Sequence, residues 1–255
     1  MVYELIYFDA RGIGEMARML MTDQGIEYTE KRFSVVDRTE WLEFKKTYPF
    51  GQVPALNDGS LSIVQSGAIM LHLARKHNLY GTTEEDMTHA DMFFEGTREL
   101  RHRFVQWAKF DWNVEGKREE YLTQATPIAL GQMEKLLKTR QNGEHFVLGE
   151  QISFVDYALF EELDVLLVLE KTILDEFPVL KAFHRRMSDR PVLKEYLKKR
   201  VAAELDVLLV LEKTILDEFP VLKAFHRRMS ERPVLKEYLK KRVAAGTPIT
   251  GYGRL

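Results

Sequence analysis

The chain has no cysteine among its 255 residues. That excludes disulfides, thiolate metal sites and a cysteine nucleophile, so any sulfur nucleophile must arrive on a substrate. An excess of charge of one sign is also missing. The 37 basic and 39 acidic side chains leave a formal charge of −2, which gives neither a nucleic-acid footprint nor a membrane-seeking surface. No uninterrupted apolar run approaches the roughly 18 residues of a membrane span. Met1-Val2-Tyr3-Glu4-Leu5-Ile6-Tyr7 lacks the basic start and long apolar stretch of a signal peptide, so the expected compartment is the cytoplasm. His72, His77 and His89 are scattered without ligand spacing, and His184 and His226 are copies of one position, so no metal site is expected. What is present, 45% apolar and 30% charged residues, suits a globular chain of one large or two smaller domains.

Residues 1–79 read as mixed α/β. Tyr3 to Phe8 is a short β-rich run ending in the turn Asp9-Ala10-Arg11-Gly12. Met16, Ala17, Met19, Leu20 and Met21 follow at helical spacing, and Asp23-Gln24-Gly25 closes that helix. Tyr28 to Val36 gives a second strand. After a variable stretch, Val53-Pro54-Ala55-Leu56, Asn57-Asp58-Gly59 and Leu61-Ser62-Ile63-Val64 read as strand, turn and strand, and Ser66 caps a helix running through Ala74. Residues 80–86 read as a linker, and residues 87–255 as helical. Apolar stripes mark Asp91 to Phe110 and Tyr121 to Lys138. Ser153 and Asp156 have capping-box spacing and open a helix apolar on nearly every side, which belongs in the middle of a bundle.

Glu162 to Ala203 recurs as Glu204 to Ala245, with Asp189 against Glu231 as the single difference. Two copies do not make a solenoid, so a recent tandem duplication, natural or engineered, is the reading. Leu205, Val207, Leu208, Leu209, Val210 and Leu211 of the second copy need burial, since about 1.5–3 kcal/mol attends each such side chain. Arg200-Val201-Ala202-Ala203-Glu204 contains no helix breaker, so the last native helix is expected to run on into the added segment. That segment would pack on its own helices or on another molecule.

Several residues could carry chemistry, and each has an ordinary reading. Pro54 at the start of the third strand could present Val53 edge-on to an extended ligand, or simply begin an edge strand. Gln65-Ser66 at a helix start could hold an anion, or only cap the helix. Trp41 and Lys45 singly would be packing or solvated residues, and Tyr7 a core aromatic.

Taken together, Tyr7-Phe8-Asp9-Ala10-Arg11-Gly12, Trp41, Lys45, Phe50-Gly51-Gln52-Val53-Pro54 and Val64-Gln65-Ser66-Gly67-Ala68-Ile69 resemble the glutathione site of soluble glutathione transferases. Leu79-Tyr80-Gly81, Asp91-Met92-Phe93, Glu99-Leu100-Arg101 and the tail Pro248-Ile249-Thr250-Gly251-Tyr252-Gly253 look like the Pi class in its roundworm form. The resemblance implies a thioredoxin-like α/β N-terminal domain plus an all-α C-terminal domain, with extra helices from the duplicated segment. It implies a cytoplasmic homodimer that conjugates glutathione to small hydrophobic electrophiles without a further cofactor. By the family pattern, Tyr7 donates to the glutathione sulfur and Gln65 and Ser66 hold the γ-glutamyl carboxylate. Val53, ahead of Pro54, pairs with the cysteinyl backbone. Trp41, Lys45 and Gln52 hold the glycine end, and Glu99 reaches the γ-glutamyl ammonium from the neighbouring subunit. The electrophile would lie against Phe8, Ala10 and Phe110. Three positions depart from the pattern: Ile13 stands where an arginine is common, Glu99 replaces aspartate, and spacing permits Lys109 in place of Phe110 on the electrophile side. A non-catalytic carrier of the same fold, or an engineered duplication with impaired activity, is the competing expectation. Displacement of the tail after Gly246 should impair the electrophile more than glutathione.

Overall fold

The computed structural model describes residues 2–200. The second repeat copy (204–245) and the tail (248–253) lie outside them.

Tyr3–Phe8 forms β1, whose residues alternate between two packed faces. Helix α1 (Glu15–Asp23) returns the chain to β2 (Tyr28–Phe33), which pairs parallel to β1 with Tyr7 opposite Arg32. The variable stretch contains a short helix, α2 (Thr39–Phe44). Strands β3 (Ala55–Asp58) and β4 (Leu61–Val64) complete a sheet of order β2-β1-β3-β4 with β3 antiparallel to both neighbours. The hairpin closes at the Asp58–Leu61 pair, one step later than the turn read from Asn57, and Gly59 takes the positive φ (+61°) that a tight reversal needs. Helix α3 (Ser66–Lys76) packs on this sheet through Ile69, Met70, Leu73 and Ala74.

The stretch read as a linker at 80–86 is shorter. Helix α4 (Glu84–Gln106) already begins at Glu84, because Thr83 and Asp86 form a capping box that satisfies the first-turn amides. Five residues of π-helix (Trp107–Asp111) extend α4, and a second π-helical turn (Tyr121–Ala125) joins α5 (Lys117–Glu120) to α6 (Thr126–Leu137). Helix α7 (Phe154–Leu169) is the central helix expected. Its capping box is wholly buried: the Asp156 carboxylate accepts from the Ser153 amide and hydroxyl (both 2.7 Å) and from the Val147 amide (2.8 Å). Burial outweighs those donors and pushes the Asp156 carboxyl up to about 6.

Helices α8 (Pro178–Ser188) and α9 (Pro191–Lys199) each begin with proline at a position that tolerates a missing amide. Leu163, Leu174, Leu180, Phe183, Met187 and Leu193 are all fully buried, so the first repeat copy supplies this part of the core. The expectation of a helix running on from Arg200 fails at that residue. Arg200 is extended (φ −65°, ψ 150°) and ends α9, its guanidinium turned inward to Asp164 and Glu161.

One core runs through both halves of the chain. Across the junction the Tyr157 hydroxyl donates to Asp23 and accepts from Gln24 (both 2.6 Å), while Arg190 donates to Asp23 (2.7 Å).

Candidate functional site

Ala55 pairs with Ile6 on one side and Val64 on the other. Beyond that rung Pro54 and Gln65 leave the sheet while Tyr7 stays paired with Arg32 of β2, so one end of the sheet gathers residues far apart in sequence. The Val53–Pro54 peptide is cis and precedes β3, so neither residue belongs to the strand as expected. Gln65 holds a positive φ (+72°) just ahead of α3. For a non-glycine residue that backbone is strained, and such strain collects where a peptide group must be aimed. Ser66 is the first residue of α3, where free amides and the positive end of the helix dipole favour an anion.

Tyr7 is buried, and its hydroxyl oxygen accepts the Ile13 amide at 3.1 Å. Two glycines make room for the ring. A Cβ on Gly12 would stand 2.3 Å from the Tyr7 hydroxyl, and one on Gly14 would stand 2.6 Å from Cδ1. Gly12 also carries a φ of +47°. The Arg18 guanidinium lies 5.5 Å from the Tyr7 ring centroid and braces the turn, donating to the Phe8 carbonyl (2.9 Å) and the Ala10 carbonyl (2.6 Å). Glu15 and Glu30 neutralise it.

A cavity of about 240 Å³ opens beside this turn, between Gly12, Ile13 and Met16, Ser66 at the start of α3, and one face of α4. A second, of about 210 Å³, is lined by Ala10 and Arg11 with Arg18, Arg32, Tyr196 and Arg200. The register of β1, β3 and β4 sets Tyr7, Val53-Pro54 and Gln65-Ser66 one or two residues beyond a shared rung. Lys45 begins a 3-10 turn whose carbonyl approaches Gly51, which brings Lys45 near Gln52 in the loop ahead of Val53. Trp41 is buried between Phe8 (5.3 Å) and Phe33 (5.4 Å), so packing is its first role. Glu99 projects from α4 into solvent and pairs with Arg103 at 2.5 Å. The Phe110 ring is 55% exposed with the Lys109 ammonium 5.2 Å from its centroid, and no ring contact joins it to Phe8 among the described residues.

Sequence reasoning missed the charge network beneath the turn. Arg11 is buried and donates to Glu161 (3.0 and 3.2 Å) and Asp164 (2.9 Å), while Arg101 donates to Glu162 (2.7 Å). Burial alone would raise the Asp164 carboxyl, but His184, Arg200 and Arg11 overcome it and hold Asp164 well below the usual carboxylate range. The signal was present: Glu161, Glu162 and Asp164 are acids inside an otherwise apolar helix, where unpaired charge is not tolerated. Of the scattered histidines, His72 pairs with Asp58 (2.8 Å) and His77 with Tyr3 (3.0 Å).

A four-stranded mixed sheet with helices, followed by a helical domain packed on it through one core, is the two-domain fold of thiol transferases with a thioredoxin-like first half. Family profiles agree: "Glutathione S-transferase, N-terminal domain" matches residues 3–75, and "Glutathione S-transferase, C-terminal domain" matches residues 98–200 and again 201–242. Glutathione S-transferase 2 of Onchocerca volvulus is 46% identical over 203 residues, covering 80% of this chain and 95% of that protein. Glutathione S-transferase P 10 of Caenorhabditis elegans is 46% identical over 201 residues, covering 79% and 93%. The solved Pi-class glutathione S-transferase of Onchocerca volvulus superposes with a TM-score of 0.75 at 46% identity, covering 78% of this chain and 94% of that one. The chain belongs to the glutathione S-transferase family.

Proposed function

We propose that the protein conjugates the thiolate of glutathione to small hydrophobic electrophiles, with Tyr7 as the hydroxyl that stabilises the sulfur anion. The observation that carries this reading is the buried Tyr7 hydroxyl, which accepts the Ile13 amide in the glycine turn one residue past the rung of Ile6, Ala55 and Val64. An oxygen used that way keeps its own hydrogen as the donor. A free thiol with pKa about 8.5 is only a few per cent ionised at neutral pH. A donor aimed at the sulfur favours the thiolate by about 1.4 kcal/mol for each unit of pKa lowering. The thiol proton leaves to solvent, the sulfur lone pair forms the new carbon–sulfur bond, and the leaving group departs with its bonding pair or the adduct takes up a proton.

In this reading Gln65 and Ser66 receive the γ-glutamyl carboxylate at the start of α3, and Val53 pairs with the cysteinyl backbone. Lys45, Gln52 and the indole edge of Trp41 face the glycine carboxylate. The electrophile rests against Phe8, Ala10 and Phe110. Glu99 of the partner subunit meets the γ-glutamyl ammonium, so the active unit is a homodimer. Glutathione is consumed as a substrate. Action in the cytoplasm belongs to the same reading; no helix among the described residues is long and apolar enough to cross a membrane.

Turnover of chlorodinitrobenzene with glutathione tests the assignment. Tyr7→Phe should lower kcat by about 10²–10³, the range for removal of one donor to developing charge, and move the pH–rate profile to higher pH. Unchanged turnover and an unchanged pH profile in Tyr7→Phe would refute it.

A further inference from the structure

We infer that Arg98 is a second anchor for glutathione, supplying the cation that meets the γ-glutamyl α-carboxylate at the start of α3. The inference rests on the reading of Ser66 given above and extends it to a residue on the other domain.

Phe94, Thr97, Arg98, Arg101, His102 and Val105 line the α4 wall of the cavity beside Ser66. Their spacing of three and four is one face of a helix, so the whole stripe looks into the same space. Gly12, Ile13 and Met16 opposite carry no charge, and the two acids that also line the cavity, Glu161 and Glu162 of α7, are already paired with Arg11 (3.0 Å) and Arg101 (2.7 Å). A ligand carboxylate entering beside Ser66 therefore finds its counter-charge on α4 alone. Arg101 is committed elsewhere, to the buried Glu162 (2.7 Å) and to Glu161 (3.8 Å). Arg98 is held differently. Its one described ion pair is with Glu95 (2.8 Å), three residues away, and both side chains are more than half exposed. A solvent-exposed pair of that kind is weakly held and readily exchanged for a better-placed carboxylate.

The distance is right for that exchange. Gly67 is the second residue of α3, and a Cβ built on it would lie 4.0 Å from the Arg98 Cζ and 3.6 Å from the Phe94 ring. The guanidinium therefore hangs over the first amides of the helix. Glycine at 67 leaves the space between them clear. The α3 amides and the planar guanidinium would grip the carboxylate from two sides, the second with paired N–H donors that match its two oxygens.

Equilibrium binding to the intact protein tests this, using glutathione and a glutathione analogue whose γ-glutamyl α-carboxylate is replaced by hydrogen. Arg98→Ala should weaken glutathione binding about 5- to 30-fold, the effect shrinking at high salt. Arg98→Lys should recover part of the loss, and kcat at saturating glutathione should hold. For the decarboxylated analogue, the native protein and Arg98→Ala should bind alike. Equal weakening of both ligands would assign Arg98 a merely structural role, and no weakening of glutathione would remove it from the site. Either result overturns the inference. Ser66→Ala, measured in parallel, separates the two readings. If Ser66→Ala weakens glutathione while Arg98→Ala does not, the Arg98 inference alone fails. If neither Ser66→Ala nor loss of the carboxylate matters to the native protein, the anion site at α3 fails and this inference with it.

Discussion

The buried cap of α7 offers a quantitative test of how the helical domain holds the site. Asp156 is fully buried, and its two oxygens accept three donors: Val147 N–H at Oδ1, and the Ser153 N–H and hydroxyl at Oδ2. Asp156→Asn keeps the shape but offers one oxygen instead of two, so one buried N–H loses its acceptor, at a pH-independent cost of about 1–3 kcal/mol. The pH-dependent part runs the other way. Burial raises the folded carboxyl to about 6, above its unfolded value of about 3.9. The fold therefore holds this proton more tightly than the unfolded chain does. The stability associated with it is complete below about pH 4 and is lost as pH rises through about 6. Linkage with those two values makes the cost of ionising Asp156 about 1.4 kcal/mol larger near pH 7.5 than near pH 5. All other titrating groups are shared with Asp156→Asn, so they cancel in the difference between the two proteins. Urea unfolding followed by tryptophan fluorescence, at fixed protein concentration, should show the native advantage over Asp156→Asn shrinking by that amount between the two pH values. Parallel stability profiles would refute the argument, because the native carboxyl would then not be titrating differently in the fold.

Gly12→Ala should cost activity and stability together, since its Cβ would stand 2.3 Å from the Tyr7 hydroxyl at a φ of +47°. A loss of turnover near that of Tyr7→Phe, with about 1–3 kcal/mol of destabilisation from the strained backbone, is expected in kinetics and thermal melts. Arg11→Met strips the buried Glu161 of its nearest partner. The expected loss is about 3 kcal/mol, the low end for breaking a buried pair, because Arg101 and Arg200 also reach Glu161; unfolding of Arg11→Met compared with Arg11→Lys would measure it. Deletion of residues 204–245 should preserve far-UV circular dichroism and glutathione affinity, because the first copy already fills the core at Leu180, Phe183, Met187 and Leu193. A deletion variant that fails to fold would show that the first copy alone is not sufficient.

The local pattern of the sequence determined much of this protein. The β-rich run Tyr3–Phe8, the helical spacing of Met16 to Met21, the turn at Asn57-Asp58-Gly59 and the Ser153–Asp156 box are each written within a few residues, so strand, helix, reversal and cap could be read directly. The chemistry of the candidate site was legible because its residues occur in a fixed order, Tyr7, then Val53-Pro54, then Gln65-Ser66, and that order identified the family. Only tertiary structure decided how they meet, since the rung joining Ile6, Ala55 and Val64 is what delivers the three segments to one end of the sheet. It also decided where α9 stops, which residues brace the Tyr7 turn, and that Trp41 is packed rather than open. For the charged residues the physical reason is long-range pairing. Charge pairs such as Arg11 with Glu161 and Arg200 with Asp164 join residues more than thirty positions apart, and their energy comes from shared burial, which no local pattern encodes.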